Sequence, residues 1–138
     1  MSKLRNRLIR LAHQHPEIRK DLVPILAGRP QPSEKIAMPS FQRIRGKLPL
    51  GRTVVTRGVN NEMQRDPAFA EFVAKSLTRH ANGDWGDLDS NDRKMNDEAM
   101  RTGEDRIMSV YKAPGMETIW IITEWDRSAS TVLFPSEY

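Results

Sequence analysis

His80, Arg127, Ser128 and Thr131 are the residues of this 138-residue chain whose types could do acid–base chemistry on a phosphodiester. A histidine can take the proton of a ribose 2′-hydroxyl, and a second group can return one to the leaving oxygen. A cation such as Arg127 would stabilise the charge that develops on the phosphoryl oxygens. Tyr111 and Tyr138 lie in the same C-terminal third. The other use for His80 is structural. It closes an apolar stripe, where a ring packs and its nitrogens find hydrogen-bond partners.

The acids between the helices invite a metal reading. Asp87, Asp89, Asn91 and Glu98 fall at positions 1, 3, 5 and 12 of a calcium-loop pattern, but position 6 is Asp92 where the sharp turn needs Gly. The same acids suit a helix N-terminus, whose dipole attracts negative charge. No histidine or acid spacing suits zinc. No metal and no cofactor is therefore expected.

These residues need elements to hold them. "DPAFAEFVAKSLTRHANG" is the clearest helix: Asp66 caps it, Pro67 opens it, and Asn82 and Gly83 stop it. Phe69, Phe72, Val73, Leu77 and His80 form its stripe. A second helix runs from about Ser90 to Arg101, capped by Asp89 or Ser90 and ended by Gly103. Three β runs follow, "DRIMSVYKA", "TIWIITEW" and "STVLFP". The turns "PGME" and "DRSA" are short enough for antiparallel hairpins. Ile119 to Ile122 do not alternate with polar residues, so the middle strand should be covered on both faces, with Trp120 in the core. "TVVTRGV" reads as a brief strand or extended approach.

Upstream, Leu4, Leu8 and Leu11 recur at helical spacing, with Arg5, Arg7 and Arg10 on other faces. Ile18, Leu22, Ile25 and Leu26 form a second stripe, interrupted by Pro24 and ended by Gly28. Helices this short need a surface to lie on. Residues 29 to 50 carry four Pro and one Gly and read as an extended linker. The expected organisation is a basic helical arm over 1–28, a Pro-rich basic linker over 29–52, and an α+β domain over 53–138.

The net charge of +4 hides an asymmetry. Residues 1–52 carry 12 Lys+Arg against 3 Asp+Glu, a balance of +9, and residues 53–138 carry 10 against 15, a balance of −5. A basic extension on an acidic body can bind a polyanion, fold back on its own body, or reach a neighbouring copy. There is no cysteine, so disulfides and thiolate chemistry are excluded and a reducing compartment fits. No apolar run approaches the ~20 residues of a membrane span, and the arginine-broken N-terminus cannot serve as a secretory segment.

"GDWG" raises a choice of its own. Gly83 suits a helix C-cap and Gly86 a turn, which makes Trp85 a structural corner. The alternative is a binding anchor, a common use of Trp. Trp125, just before a turn and beside Asp126 and Arg127, is expected to be more exposed than Trp120, where it could stack a base, cap a partner surface or pack at the sheet edge.

"TRGVNNEM", "RHANGDWGDLDSNDRKMNDEAMRTGEDRIMSVY" and "IWIITEWDRSASTVLFPSEY" together resemble a small, functionally uncharacterised family of plasmid-related, integrative-element and prophage proteins. The resemblance spans roughly residues 57 to 138, with "GDWG", "WIITE" and "DRS" as its specific parts. Trp125, Ala129 and Ser130 depart mildly from the pattern. The opening segment is similar to leader-like stretches of unrelated phage proteins. The resemblance implies a mobile-element or phage origin in a bacterial cytoplasm and supplies no activity.

The expected fold is therefore α+β, with two helices on a three- or four-stranded antiparallel sheet and an N-terminal helical arm. The expected function is a non-enzymatic accessory protein, forming homo-oligomers, that binds nucleic acid or an acidic protein surface. Arg5, Arg7, Arg10, Arg43, Arg45 and Lys47 would make the polyanion contacts, and Trp85 and Trp125 would be aromatic anchors. The alternatives are a small metal-independent ribonuclease using His80, Arg127, Ser128 and Thr131, similar in architecture alone to barnase-like enzymes, and a virion or assembly component.

Overall fold

The structure is a computed structural model that describes residues 35–37, 44 and 46–138. Its elements are β1 (Lys35–Ala37), β2 (Arg52–Thr56), α1 (Arg57–Arg65), α2 (Pro67–Ala81), α3 (Ser90–Thr102), β3 (Ile107–Tyr111), β4 (Ile119–Thr123), β5 (Ala129–Leu133) and a 3-10 turn (Pro135–Glu137). The α+β class expected from the sequence holds. The arm expected over 1–28 lies outside the described residues.

The sheet departs from expectation. Among the described residues it has five strands in the order β1-β2-β5-β4-β3 and is mixed, where three or four antiparallel strands were expected. The β3–β4 and β4–β5 hairpins are antiparallel, as their short turns require. β2 lies parallel to β5, because the chain between them crosses over through all three helices and two strands. β1 adds an antiparallel edge from within the expected linker. That stretch contributes more than a strand: Leu48 and Leu50 are buried, and the Leu48 N–H donates to the Ala81 carbonyl. Gly46 sits against Ala81, where a Cβ would collide with the α2 backbone.

Among the described residues the helices number three, where two were expected over 53–138. Thr56 ends β2 and caps α1, its hydroxyl accepting from the Val59 N–H. Thr56 and the Gly58 N–H also donate to Glu137, which ties the start of α1 to the C-terminus. α2 begins as its sequence dictates, with Asp66 accepting from the Ala68 N–H and Pro67 in the first turn. Asp89 caps α3 by accepting from the Asp92 N–H, and Gly103 ends it in the left-handed conformation.

Residues paired across the sheet share a face. Ile107, Ser109 and Tyr111 therefore lie with Thr123, Ile121 and Ile119, and with Ser130 and Val132, on the face that meets α2. Met108, Val110, Trp120, Ile122, Thr131 and Leu133 take the other face, where the Tyr138 ring meets Trp120 edge-on at 6.3 Å. Every residue of β3 and β4 is buried. This matches the double coverage expected from the unbroken apolar run of β4.

Candidate functional site

α2 carries Phe69, Val73, Ser76, Leu77 and His80 on its buried side; the Ser76 hydroxyl donates to the Phe72 carbonyl of its own helix, whereas His80 reaches across to the sheet. His80 is 0 % exposed. Its Nδ1 lies 2.5 Å from Ser109 Oγ on β3, and its Nε2 lies 2.8 Å from Thr123 Oγ1 on β4. Thr123 Oγ1 is 2.7 Å from Ser130 Oγ on β5, and Ser130 donates to the Leu50 carbonyl at 2.7 Å.

The last acceptor sets the direction of this relay. A carbonyl only accepts, so Ser130 spends its proton on Leu50, Thr123 donates to Ser130, and Thr123 must accept from His80. His80 thus donates from Nε2, and in the neutral ring Nδ1 accepts from Ser109. The Trp85 ring meets the imidazole edge-on at 5.5 Å and closes it over. Both nitrogens are engaged inside the protein and no substrate can reach either one. Five segments are joined through this one ring: α2, β3, β4 and, through Thr123 and Ser130, β5 and the stretch before β2.

The other members of the proposed catalytic set do not gather round it. Thr131 pairs with Ile122, on the face of the sheet opposite to His80. Ser128 is exposed in the β4–β5 hairpin. Arg127 is spent on backbone. Its Nη1 donates to the Asp105 and Glu124 carbonyls at 2.9 and 3.1 Å, and its Nη2 donates to the Ala99 carbonyl at 2.8 Å. One side chain thereby pins the hairpin to the end of α3 and to the approach of β3. Burial draws the guanidinium below its ordinary pKa, with Asp105 and Asp126 opposing that shift. Arg127 itself holds a left-handed φ of 60°, costing about 1 kcal/mol, which its charged hydrogen bonds offset.

Replacing Arg127 by methionine is expected to lower the unfolding free energy by about 2 kcal/mol, measured from the urea midpoint. Lysine should recover only part of this, because a single ammonium cannot reach three carbonyls in the plane of a guanidinium.

"GDWG" is a corner. Trp85 is 3 % exposed, and its Nε1 donates to Asp97 Oδ1 at 2.9 Å. Residues 85–87 run beside β3: the Val110 N–H donates to Trp85 and the Asp87 N–H to Val110. Asp84 pairs with Arg79, which lowers its pKa chiefly through their hydrogen bond, and the Arg79 guanidinium lies 5.0 Å over the Tyr111 ring. The Tyr111 hydroxyl donates to the Asp84 carbonyl, and burial raises its pKa. Trp85 therefore has no open face to serve as an aromatic anchor. Among the described residues no group of acids and histidines could hold a metal ion.

Trp125 is the reverse case. It is 62 % exposed and is the large apolar side chain that stands out from the described surface. Its turn is fixed by the Glu124 N–H to Ala129 and the Arg127 N–H to Glu124, both at 2.9 Å. The Arg52 N–H donates to the Ser128 carbonyl at 2.9 Å, so the start of β2 is strapped to this turn. The Arg52 and Lys47 side chains are exposed on that strap.

The partners of His80 were not foreseen. The signal was there: Ser109 and Thr123 are the polar residues that interrupt two apolar strands. Arg5, Arg7, Arg10, Arg43 and Arg45 lie outside the described residues. No helix among the described residues is long and apolar enough to cross a membrane. The chain matches no protein-family model, no curated protein and no solved structure.

Proposed function

We propose that this chain is a non-enzymatic accessory protein of a phage or other mobile element that binds nucleic acid through its basic N-terminal third and the Trp125 hairpin. The observation that carries this reading is the opposite fate of two groups. His80, the candidate base, is sealed with both nitrogens bonded, whereas Trp125 is held outward on a rigid turn. The charge asymmetry supplies the rest. Residues 1–52 balance at +9, and each phosphate neutralised by such a cation releases counterions.

The test is titration of the full chain with a fluorescent oligonucleotide at low and raised salt. Affinity should fall with salt, with a log–log slope of about 0.7 to 0.9 per phosphate contacted. Changing Arg5, Arg7 and Arg10 to Glu should weaken binding and flatten that slope. A salt-resistant self-association with no response to nucleic acid would point to assembly instead and refute the proposal. Binding of an acidic protein with none of nucleic acid would refute it equally.

A further inference from the structure

We infer that the nucleic acid taken by the Trp125 hairpin is single-stranded, with one unpaired base stacked on the Trp125 indole and the strand's phosphates on Arg52 and Lys47. This rests on the binding reading above and narrows it.

An indole 62 % exposed offers a ring face, and any base can stack on such a face without sequence readout. In a duplex those base faces are already occupied by their neighbours, so an intact double helix has little to give Trp125. The turn that carries the ring is braced by Arg127 on three carbonyls and by two backbone hydrogen bonds. A stiff aromatic loses little conformational entropy when it binds.

The charges beside it also favour one strand over two. Arg52 joins the turn through the Ser128 carbonyl, and Lys47 lies five residues earlier on the same strap. Neither is in an ion pair among the described residues. Apart from Arg127, whose guanidinium is spent on backbone carbonyls, the turn's own charges are acidic. Asp126 is held ionised by Ser128, whose N–H donates to Oδ1 at 3.0 Å, and Glu124 is neutralised by Arg106 at 3.1 Å. One strand can run along the Arg52 side and leave Asp126 in water. A duplex, with two phosphate rows, has less freedom to keep every phosphate away from that carboxylate.

The experiment compares an oligo-dT strand of about 20 nucleotides with a duplex of the same length, longer than the roughly 4 to 16 nucleotides a small domain covers. Anisotropy at low salt should favour the single strand. Trp125→Ala should weaken strand binding by about tenfold or more and leave duplex binding nearly unchanged, while Trp125→Phe keeps most of the affinity. Arg52→Ala should weaken strand binding severalfold and reduce its salt slope. Trp85 and Trp120 are buried, so strand binding should quench the red-edge emission that Trp125 contributes, and the quench should vanish in Trp125→Phe. Equal strand binding by wild type and Trp125→Ala, or a preference for the duplex, overturns the inference and leaves standing only nucleic-acid binding through the basic N-terminal third. Binding of neither probe overturns both.

Discussion

His80→Leu is expected to lower the unfolding free energy by about 3 kcal/mol, although leucine is apolar and close in size. The loss comes from what the ring leaves behind. Ser109 loses its acceptor and Thr123 loses its donor, and both hydroxyls are fully buried. An orphaned buried polar group costs about 1–3 kcal/mol, whereas removing both partners of such a bond is nearly neutral. Adding Ser109→Ala and Thr123→Val to the leucine variant should therefore recover roughly half of the loss. Ser130 keeps its bond to Leu50 in all of these variants. Urea melts of the single and triple variants measure this directly. A leucine variant as stable as wild type would mean that the relay carries no stability.

Gly86→Ala should destabilise the fold by about 3 kcal/mol or more. Gly86 has φ of 72°, and an added Cβ would overlap the Val110 carbonyl oxygen and come within 2.8 Å of the Tyr111 ring. The carbonyl belongs to Val110 of β3, which is held in register by its pairing with Trp120 on β4 and cannot easily give way. Residues 85–87 would have to lift from the strand, which breaks their two hydrogen bonds to Val110 and uncovers the Trp85 ring over His80. A red shift in tryptophan emission should accompany the fall in the urea midpoint. Gly103 provides the control. Its φ is 73°, but nothing lies within 4 Å of its missing Cβ, so alanine there should cost only about 1 kcal/mol.

These residues also mark how far the sequence could be read. α2 and α3 were legible because their caps and stops are local: Asp66–Pro67, Asp89 and Gly103 act within one turn of chain. The three C-terminal strands were legible for the same reason, since short turns leave hairpins no alternative. The β2–β5 pairing was not, because a parallel partner 77 residues away leaves no mark on either strand. α1 was hidden by Gly58 and a run of polar residues, and its start depends on Thr56 and on Glu137 at the far end of the chain.

The candidate site divides along the same line. Periodicity put His80 on a buried stripe, but its function turned on Ser109, Thr123 and Ser130, which three different strands deliver. Arg127 reads from the sequence as a cation, yet its role depends on carbonyls that only the fold brings within reach. Thr131 was grouped with His80 on residue type. Strand alternation then placed it on the other face. Trp125 kept its expected exposure, whereas Trp85, also between elements, is covered because its corner runs beside β3.

Incubating the full chain with an end-labelled single-stranded RNA in the presence of a chelator, and scoring bound and cleaved strand in the same samples, tests binding without turnover most directly. The RNA should shift into complex at low salt and be recovered at full length after dissociation. Cleavage products that scale with protein and disappear in Arg127→Met would contradict it, because they would require His80 and Arg127 to leave the partners that now occupy them.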